Sequence, residues 1–285
     1  ALEYQNIIKL ARQNGYKLNV SPSSYGMASF YIQIPSDTIG SSPNRAYIPV
    51  LKRGSQFSTV SGIGFVLKED VDFSKTENKT VVSQVDESTG LPTSYAIQAF
   101  GQVVSGRYAE ITFPVGDFQK FLKLQMPGTG ICDIISVQDS EGNEYFEVEN
   151  LTQNTIYRSI TNTDTDDLER TPSLIQPTVV SRRFVVEREG NSVFLQFGAG
   201  DESSDISSAF TEPGSVVLFQ NGKDYVSDSS IDPTRLLDSN KLGVAPSNTS
   251  IRVVYRVNTA ASVNASATSL TTVNKAELSF ENITD

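Results

Sequence analysis

Apolar and polar side chains alternate along much of this chain, and a period of two is the mark of a β-strand with one buried face. The clearest run follows Gly26: Ala28, Phe30, Ile32 and Ile34 alternate with Ser29, Tyr31 and Gln33 until Pro35 ends it. A half-buried strand is predicted there. Residues 46–51 and 62–67 predict two further short strands, with Gly54 and Gly62 marking turns. Residues 80–84 and 95–104 predict strands about a turn at 88–92, and 108–113 alternates again. The apolar stretch 122–126 runs into Pro127, Gly128 and Gly130. Residues 133–138 and 145–148 flank Asp139-Ser-Glu-Gly142-Asn143, where Asp and Asn close side-chain turns and Gly accepts positive φ, so a hairpin is predicted.

Farther along, residues 161–177 are polar and acidic (Asn162, Asp164, Asp166, Asp167, Glu169) before Pro172 and Pro177, which predicts a loop or a boundary between lobes. Residues 183–189 and 193–197 form a predicted hairpin about Glu189-Gly190-Asn191. Another acidic passage covers 201–214, a strand is expected at 215–220, and a polar stretch continues to Lys241. Clean alternation returns at Ile251, Val253, Tyr255 and Val257. From Asn258 the chain is rich in Ala, Ser, Thr and Asn, and is expected to extend along a neighbour. Only residues 2–14 read as a helix, with Leu2, Ile7, Leu10 and Ala11 on one stripe and Gly15 as the stop. No repeat of solenoid length is evident. The expected class is mainly β with a short N-terminal helix, formally α+β.

Composition narrows the chemistry. The 285 residues suffice for one large or two ordinary domains without staples. A single cysteine, Cys132, rules out an internal disulfide and fits reduced cytosolic synthesis. Lys+Arg of 23 against Asp+Glu of 33 gives a net charge of −10, unfavourable for gripping a phosphate backbone, so no nucleic-acid partner is expected. No apolar run approaches the roughly 20 residues of a membrane helix, and no membrane partner is expected. The first residue is Ala1, which fits a fragment or a processed form with a neighbouring segment beyond it. Histidine is absent, which removes Ser-His-Asp and Cys-His nucleophile systems and the commonest zinc ligand. Carboxylate chemistry of the glycosidase kind stays open.

Individual motifs are weak. Gly198-Ala199-Gly200 lacks the third glycine and following helix of a dinucleotide fingerprint and reads as a tight turn. Asp164, Asp166 and Asp167 lack the glycine and closing glutamate of a calcium loop and read as a solvated acidic loop. Asn78, Asn150, Asn248, Asn264 and Asn282 open Asn-x-Ser/Thr triplets, which matter only on a secretory route. Cys132, among Ile131, Ile134 and Ile135, reads as a small buried filler, and Lys52-Arg53 and Arg182-Arg183 as solvated surface pairs. No catalytic, cofactor-binding or metal-binding residue is nominated, and no cofactor is expected.

Three segments carry a resemblance. Arg183-Phe-Val-Val-Glu-Arg-Glu-Gly-Asn-Ser-Val-Phe-Leu-Gln-Phe-Gly198 resembles the strand-turn-strand of baseplate J-like and baseplate wedge proteins of contractile-tailed phages, which ends in Phe-Gly. Leu242-Gly-Val-Ala-Pro-Ser-Asn-Thr-Ser-Ile-Arg-Val-Val-Tyr255-Arg256 is similar to that family's Gly-x-Ala-Pro-x-Asn-Thr turn and the strand after it. Val137-Gln-Asp-Ser-Glu-Gly-Asn-Glu-Tyr-Phe-Glu-Val148, with Leu151-Thr-Gln-Asn-Thr-Ile-Tyr157, resembles the central lobe of the large wedge subunit. The helix ending at Gly15 and the following Ser-Pro-Ser stretch extend the likeness, so it spans most of the chain. One departure is Ala199, where these proteins commonly carry Asp.

What the resemblance implies is a structural, non-enzymatic subunit of the virion, assembled in the host cytoplasm into the tail baseplate. Its organisation would be a helix at 1–20 ending a helical bundle, a discontinuous β domain of 21–85 plus 175–258, an inserted β-rich lobe at 86–174, and an extended tail at 259–285. Its partners would be other copies of itself, other baseplate wedge proteins, and tail tube or hub neighbours. In the family, two copies join a third wedge protein through a helical core bundle, wedges close a ring around the tail tube, and the ring rearranges on host attachment. Two other functions fit the residues. A carbohydrate-binding or host-adhesion module needs an exposed aromatic platform, here without any Trp. A carboxylate-dependent glycosidase needs two facing acids roughly 5–10 Å apart.

Overall fold

The structure is a computed structural model and describes residues 6–7, 10–11, 14–16, 22–37, 42–162, 171, 173–190, 192–201, 217–218, 230–231, 242–258 and 263–280. It is mainly β. The strands are β1 (Tyr25–Pro35), β2 (Val50–Leu51), β3 (Gln56–Thr59), β4 (Gly64–Leu67), β5 (Val71–Asp72), β6 (Lys79–Val85) and β7 (Pro92–Ser105). They continue as β8 (Arg107–Val115), β9 (Lys123–Gln125), β10 (Ile131–Gln138), β11 (Glu144–Glu147), β12 (Thr155–Thr161), β13 (Ser173–Val179), β14 (Arg183–Glu189) and β15 (Ser192–Phe197). The last are β16 (Val217–Leu218), β17 (Ser230–Ile231), β18 (Thr249–Val257), β19 (Leu270–Lys275) and β20 (Leu278–Ser279).

Two compact units, each discontinuous in sequence, divide the chain: residues 1–18 with 110–255, and 19–109 with 256–285. The expected division, with a lobe at 86–174 inserted into 21–85 plus 175–258, follows different boundaries. The reason lies in the ladders. β7, expected inside the inserted lobe, is the strand on which the second unit is built, pairing with β1 along one side and with β6 and β4 along the other.

In that unit a six-stranded sheet runs β1-β7-β4-β3-β19 with β6 also on β7, beside a three-stranded sheet β20-β2-β5. β1 behaves as its alternation predicts. Ala28, Phe30, Ile32 and Ile34 face a core of Phe57, Phe65, Leu67, Phe73, Ile97 and Val103, and Phe30 meets Phe57 at 4.9 Å. Gly101, opposite Ala28, has no room for a side chain, since a Cβ there would lie 2.5 Å from Val71 Cγ2.

The first unit holds a seven-stranded sheet in the order β8-β18-β10-β11-β14-β15-β9. Its inward positions are those of the period-two pattern: Val193, Leu195 and Phe197 on β15, and Ile251, Val253 and Tyr255 on β18, are all buried. Phe197 stacks edge-on against Tyr145 at 5.4 Å and lies 6.0 Å from Phe184. The predicted hairpin turn at residues 139–143 is present. Asp139 Oδ1 accepts the amides of Glu141 (2.9 Å) and Asn143 (2.8 Å), and Gly142 takes φ 86°.

Several expectations are corrected. The helix over residues 2–14 is not supported: no described helix reaches seven residues, although Asn6, Ile7, Leu10 and Ala11 are helical and Tyr16 N–H bonds Ala11 O at 2.9 Å beside Gly15 at φ 80°. Residues 46–51 yield only the short β2, because Asn44 caps a 3-10 turn at Arg45–Tyr47 through the Ala46 amide, 3.2 Å. Of the loop or lobe boundary expected at 161–177, residues 163–170 and 172 lie outside the described residues, and Ser173 opens β13, which pairs over seven residues with β12. That ribbon is solvated on both faces, so its sequence carries no alternation of burial. β3 and β5 were not foreseen because β3 carries few apolar residues and β5 is two residues long. The tail beyond Asn258 folds back, with β19 on β3 and β20 on β2. Much of the acidic passage at 201–214 and of the polar stretch before 241 lies outside the described residues, as does most of the strand expected at 215–220, of which Val217–Leu218 forms β16.

The two cores set a stability expectation. Leu195, 0% exposed, and Ile97, 2% exposed, each truncated to Ala should cost about 2–5 kcal/mol by chemical denaturation, whereas Val60→Ala, at 88% exposed, should stay within about 0.5 kcal/mol.

Candidate functional site

The most tightly constructed place in the first unit is a clasp of main chain around Arg183. β15 ends at Phe197, and Gly198 lies directly beneath the segment Leu242–Ala245. A Cβ at Gly198 would sit 2.0 Å from the Gly243 carbonyl oxygen, so only glycine lets the two backbones approach. Gly200 N–H then donates to Gly243 O at 2.9 Å, Ala245 N–H to Gly200 O at 2.8 Å, and Val244 N–H to Ser181 O at 3.1 Å. Val244 forms parallel bridges to both Arg182 and Gly200, and is buried with Leu242 and Ala245.

Arg183 closes the arrangement from below. Its side chain is wholly buried, and Gly243, at φ 90°, packs so close that a Cβ would lie 2.8 Å from Arg183 Cγ. The guanidinium donates from Nε to Leu151 O at 2.8 Å and from Nη1 to Val180 O at 2.7 Å. Those carbonyls lie just before β12 and just after β13. One planar fork therefore ties both roots of the β12–β13 ribbon, helped by Val180 N–H to Asn154 O at 2.8 Å. Burial draws the Arg183 pKa down to about 10, which leaves it charged at neutral pH.

A related device stands in the second unit. Arg256 is 2% exposed and donates to Ser105 O and to Ser23 Oγ, the latter at 3.0 Å. Gly106, at φ 123°, makes room, since a Cβ would lie 3.0 Å from Arg256 Cγ and 2.9 Å from Val257 O. Asn258 Nδ2 bonds Pro22 O at 3.0 Å and Ser105 Oγ at 2.9 Å, fastening the end of β18.

The sequence motifs resolve as follows. Arg182-Arg183 is not a solvated surface pair, because Arg183 is buried where its charge is met by main-chain carbonyls. Gly198 to Gly200 serves close backbone approach rather than a tight turn. Cys132 is buried. Lys52 lies on the surface, 2.9 Å from Asp70. Asn78 Nδ2 bonds Asp72 O at 2.9 Å, Asn248 stands at φ 47° with its amide on Gly116 O, and Asn150 and Asn264 are exposed. Asp164, Asp166, Asp167 and Asn282 lie outside the described residues. Reading the sequence missed the buried roles of Arg183 and Arg256. The one available signal for Arg183 was its place between Val179-Val180 and Phe184-Val185-Val186.

Several carboxyls of the first unit stand close together. A cleft of about 430 Å³ in the first unit is lined by Glu147, Glu149, Glu187, Arg188 and Tyr16 among others. Glu187 there is engaged by Lys123 at 2.8 Å, which also reaches Glu189 at 2.7 Å and lies over the Phe194 ring. Among the described residues, the carboxyls whose proton affinity is displaced are moved down. For Asp70, burial pushes up but the Arg53 amide and Lys52 outweigh it; Asp86 is held by the Ser88 hydroxyl and amide, and Glu110 by the Arg252 fork. A glycosidic proton donor needs the opposite displacement.

Two surfaces are conspicuous. On β1, Tyr25, Met27 and Tyr31 point outward with Phe100 of β7, which stands opposite Ser29. Residues 25–35 carry no charge, and β1 is an edge of its sheet. On the β12–β13 ribbon, Tyr157 and Ile175 are each 74% exposed. No family model matches the chain, and no curated protein matches it in sequence.

Because the Gly198 to Gly243 approach is backbone on backbone, Gly198→Ala should cost about 3 kcal/mol or more, or prevent folding, measured by urea denaturation. Gly116→Ala, with open space around it, should change stability by no more than about 0.5 kcal/mol.

Proposed function

We propose that this chain is a structural subunit of a phage tail baseplate wedge, which assembles with copies of itself and other wedge proteins into a ring about the tail tube and rearranges on host attachment. The observation that carries the reading is a convergence. The segments whose residues resemble baseplate wedge proteins supply the end of β10, β11, β14–β15 and β18, which stand together in one sheet, β18-β10-β11-β14-β15, while Leu151–Tyr157 leads into β12 of the separate ribbon. The small residues of the likeness, Gly198 of the Phe-Gly pair and Gly243 of the Gly-x-Ala-Pro turn, are the two that meet in the clasp. Residues about 45 positions apart in sequence are thus matched to one another by packing, as a shared fold would require.

The surfaces support an assembly role. Strand-built faces lose little conformational entropy on docking. An uncharged edge of 11 residues such as β1 is a feature that an isolated protein normally blunts with charge, Pro or a bulge, and the ribbon rooted by a buried arginine exposes Tyr157 and Ile175. The rearrangement on attachment would be a change of interfaces, with no bond chemistry in this chain. The end-of-bundle role of residues 1–20 belongs to this proposal and not to the described fold.

A second reading is favoured by one observation: Tyr25, Tyr31 and Phe100 make an exposed aromatic face, of the kind a host-adhesion or carbohydrate-binding module uses. The two readings separate experimentally. Co-expressed with the reading frames that flank it, the chain should purify in a complex of fixed stoichiometry by native mass spectrometry. A chain that stays alone under those conditions and is retained on a column of host-surface polysaccharide would favour adhesion and refute the wedge reading.

A further inference from the structure

The C-terminal residues 263–280 form a strap across the second unit. β19 lies on β3 with the register Leu270↔Thr59, Thr272↔Ser58, Val273↔Phe57 and Lys275↔Gln56, interrupted by two register shifts. β20 lies on β2 through Val50↔Ser279 and Leu51↔Leu278. Between them Lys52 N–H donates to Glu277 O at 2.8 Å, and Glu277 N–H donates to Ser55 Oγ at 3.0 Å. The strap is therefore held mainly by main-chain hydrogen bonds along the margins of two separate sheets.

Its side chains add little. Leu270 packs against the core only in part, and Val273, Leu278 and Phe280 are 62%, 47% and 40% exposed. The surface beneath does not depend on the strap for its own pairing, because β3 is also laddered to β4, and β2 to β5. With the strap lifted, β3 and β2 become open margins free of charged side chains, the kind of edge that takes up another strand.

We propose that this strap exchanges between copies of the chain, so that residues 263–280 of one copy seat on β3 and β2 of a second. The occupant is set by what already lies there: a second copy supplies the same strand, and every ladder bond and the Leu270 contact are reproduced across molecules. Exchange then changes almost nothing in bond energy. Local concentration decides it, and copies held side by side reach the millimolar effective concentrations at which a strand from outside competes with the chain's own. The strand that exchanges is read from the ladder alone, while the side-by-side copies that favour exchange rest on the wedge reading.

The registered pair Ser58 and Thr272 makes a direct test, because directly opposed strand positions fall within disulfide range. Full-length chains carrying Ser58→Cys alone and Thr272→Cys alone are mixed, refolded together and oxidised, and the chain carrying both changes serves as the geometric control. Exchange predicts a covalent dimer whose linked peptides contain positions 58 and 272, with a yield relative to monomer that rises about tenfold for a tenfold rise in protein concentration. Closure of the doubly substituted chain on itself, with no mixed dimer at any concentration, would overturn the exchange while leaving the wedge reading untouched.

Discussion

The first unit depends on one contact between two pieces of main chain that are far apart in sequence. Gly198 and Gly243 approach so closely that neither tolerates a side chain, and the hydrogen bonds around them join the end of β15 to the segment leading into β18. Arg183 is buried under that crossing because its charge is met by the carbonyls of Leu151 and Val180. Removing any member would leave a buried polar group without its partner or a backbone without room, and both are among the costlier faults a core can carry. The footing of the β12–β13 ribbon rests on the arginine buried beneath that crossing.

A scaffold needs rigid roots and open margins, and the two are found on the same elements. The ribbon is anchored at its base by the Arg183 fork and solvated along its length, so its apolar residues are presented without being loosely held. In the second unit, Arg256 and Asn258 fasten the end of β18 to Ser105, the last residue of β7, and β7 in turn supports the whole of β1. Rigidity of this kind lowers the entropic cost of docking, which is the physical ground for preferring assembly over catalysis in the proposed function.

Much of the architecture was legible in one dimension wherever a strand has one wet and one dry face. β1, β15 and β18 alternate because Phe30, Leu195 and Val253 face a core while their neighbours face water. The turn at Asp139–Asn143 announced itself through residues that bond their own backbone. β12 and β13 were illegible for the converse reason, since both faces are wet and burial imposes no period. The strap beyond Asn258 was read as an outward tail because ladder bonds leave no trace in composition. The clasp was hidden more deeply: glycine at 198 suggests a turn, and only the fold reveals that position 243 is what it makes room for. Arg183 likewise reads as surface until its carbonyl partners are known. The division into two units was hidden too, because β7 joins partners on both sides that no local pattern connects.

The most direct measurement is a cryo-electron microscopy map of the tailed particle in which the wedge account expects this chain, into which the seven-stranded sheet is fitted as a rigid body. The wedge account predicts repeated copies related by the symmetry axis of the tail and in contact with one another around a central tube. A copy found only at the tip of a fibre, isolated from its own kind, or density for the sheet nowhere in the particle, would contradict it.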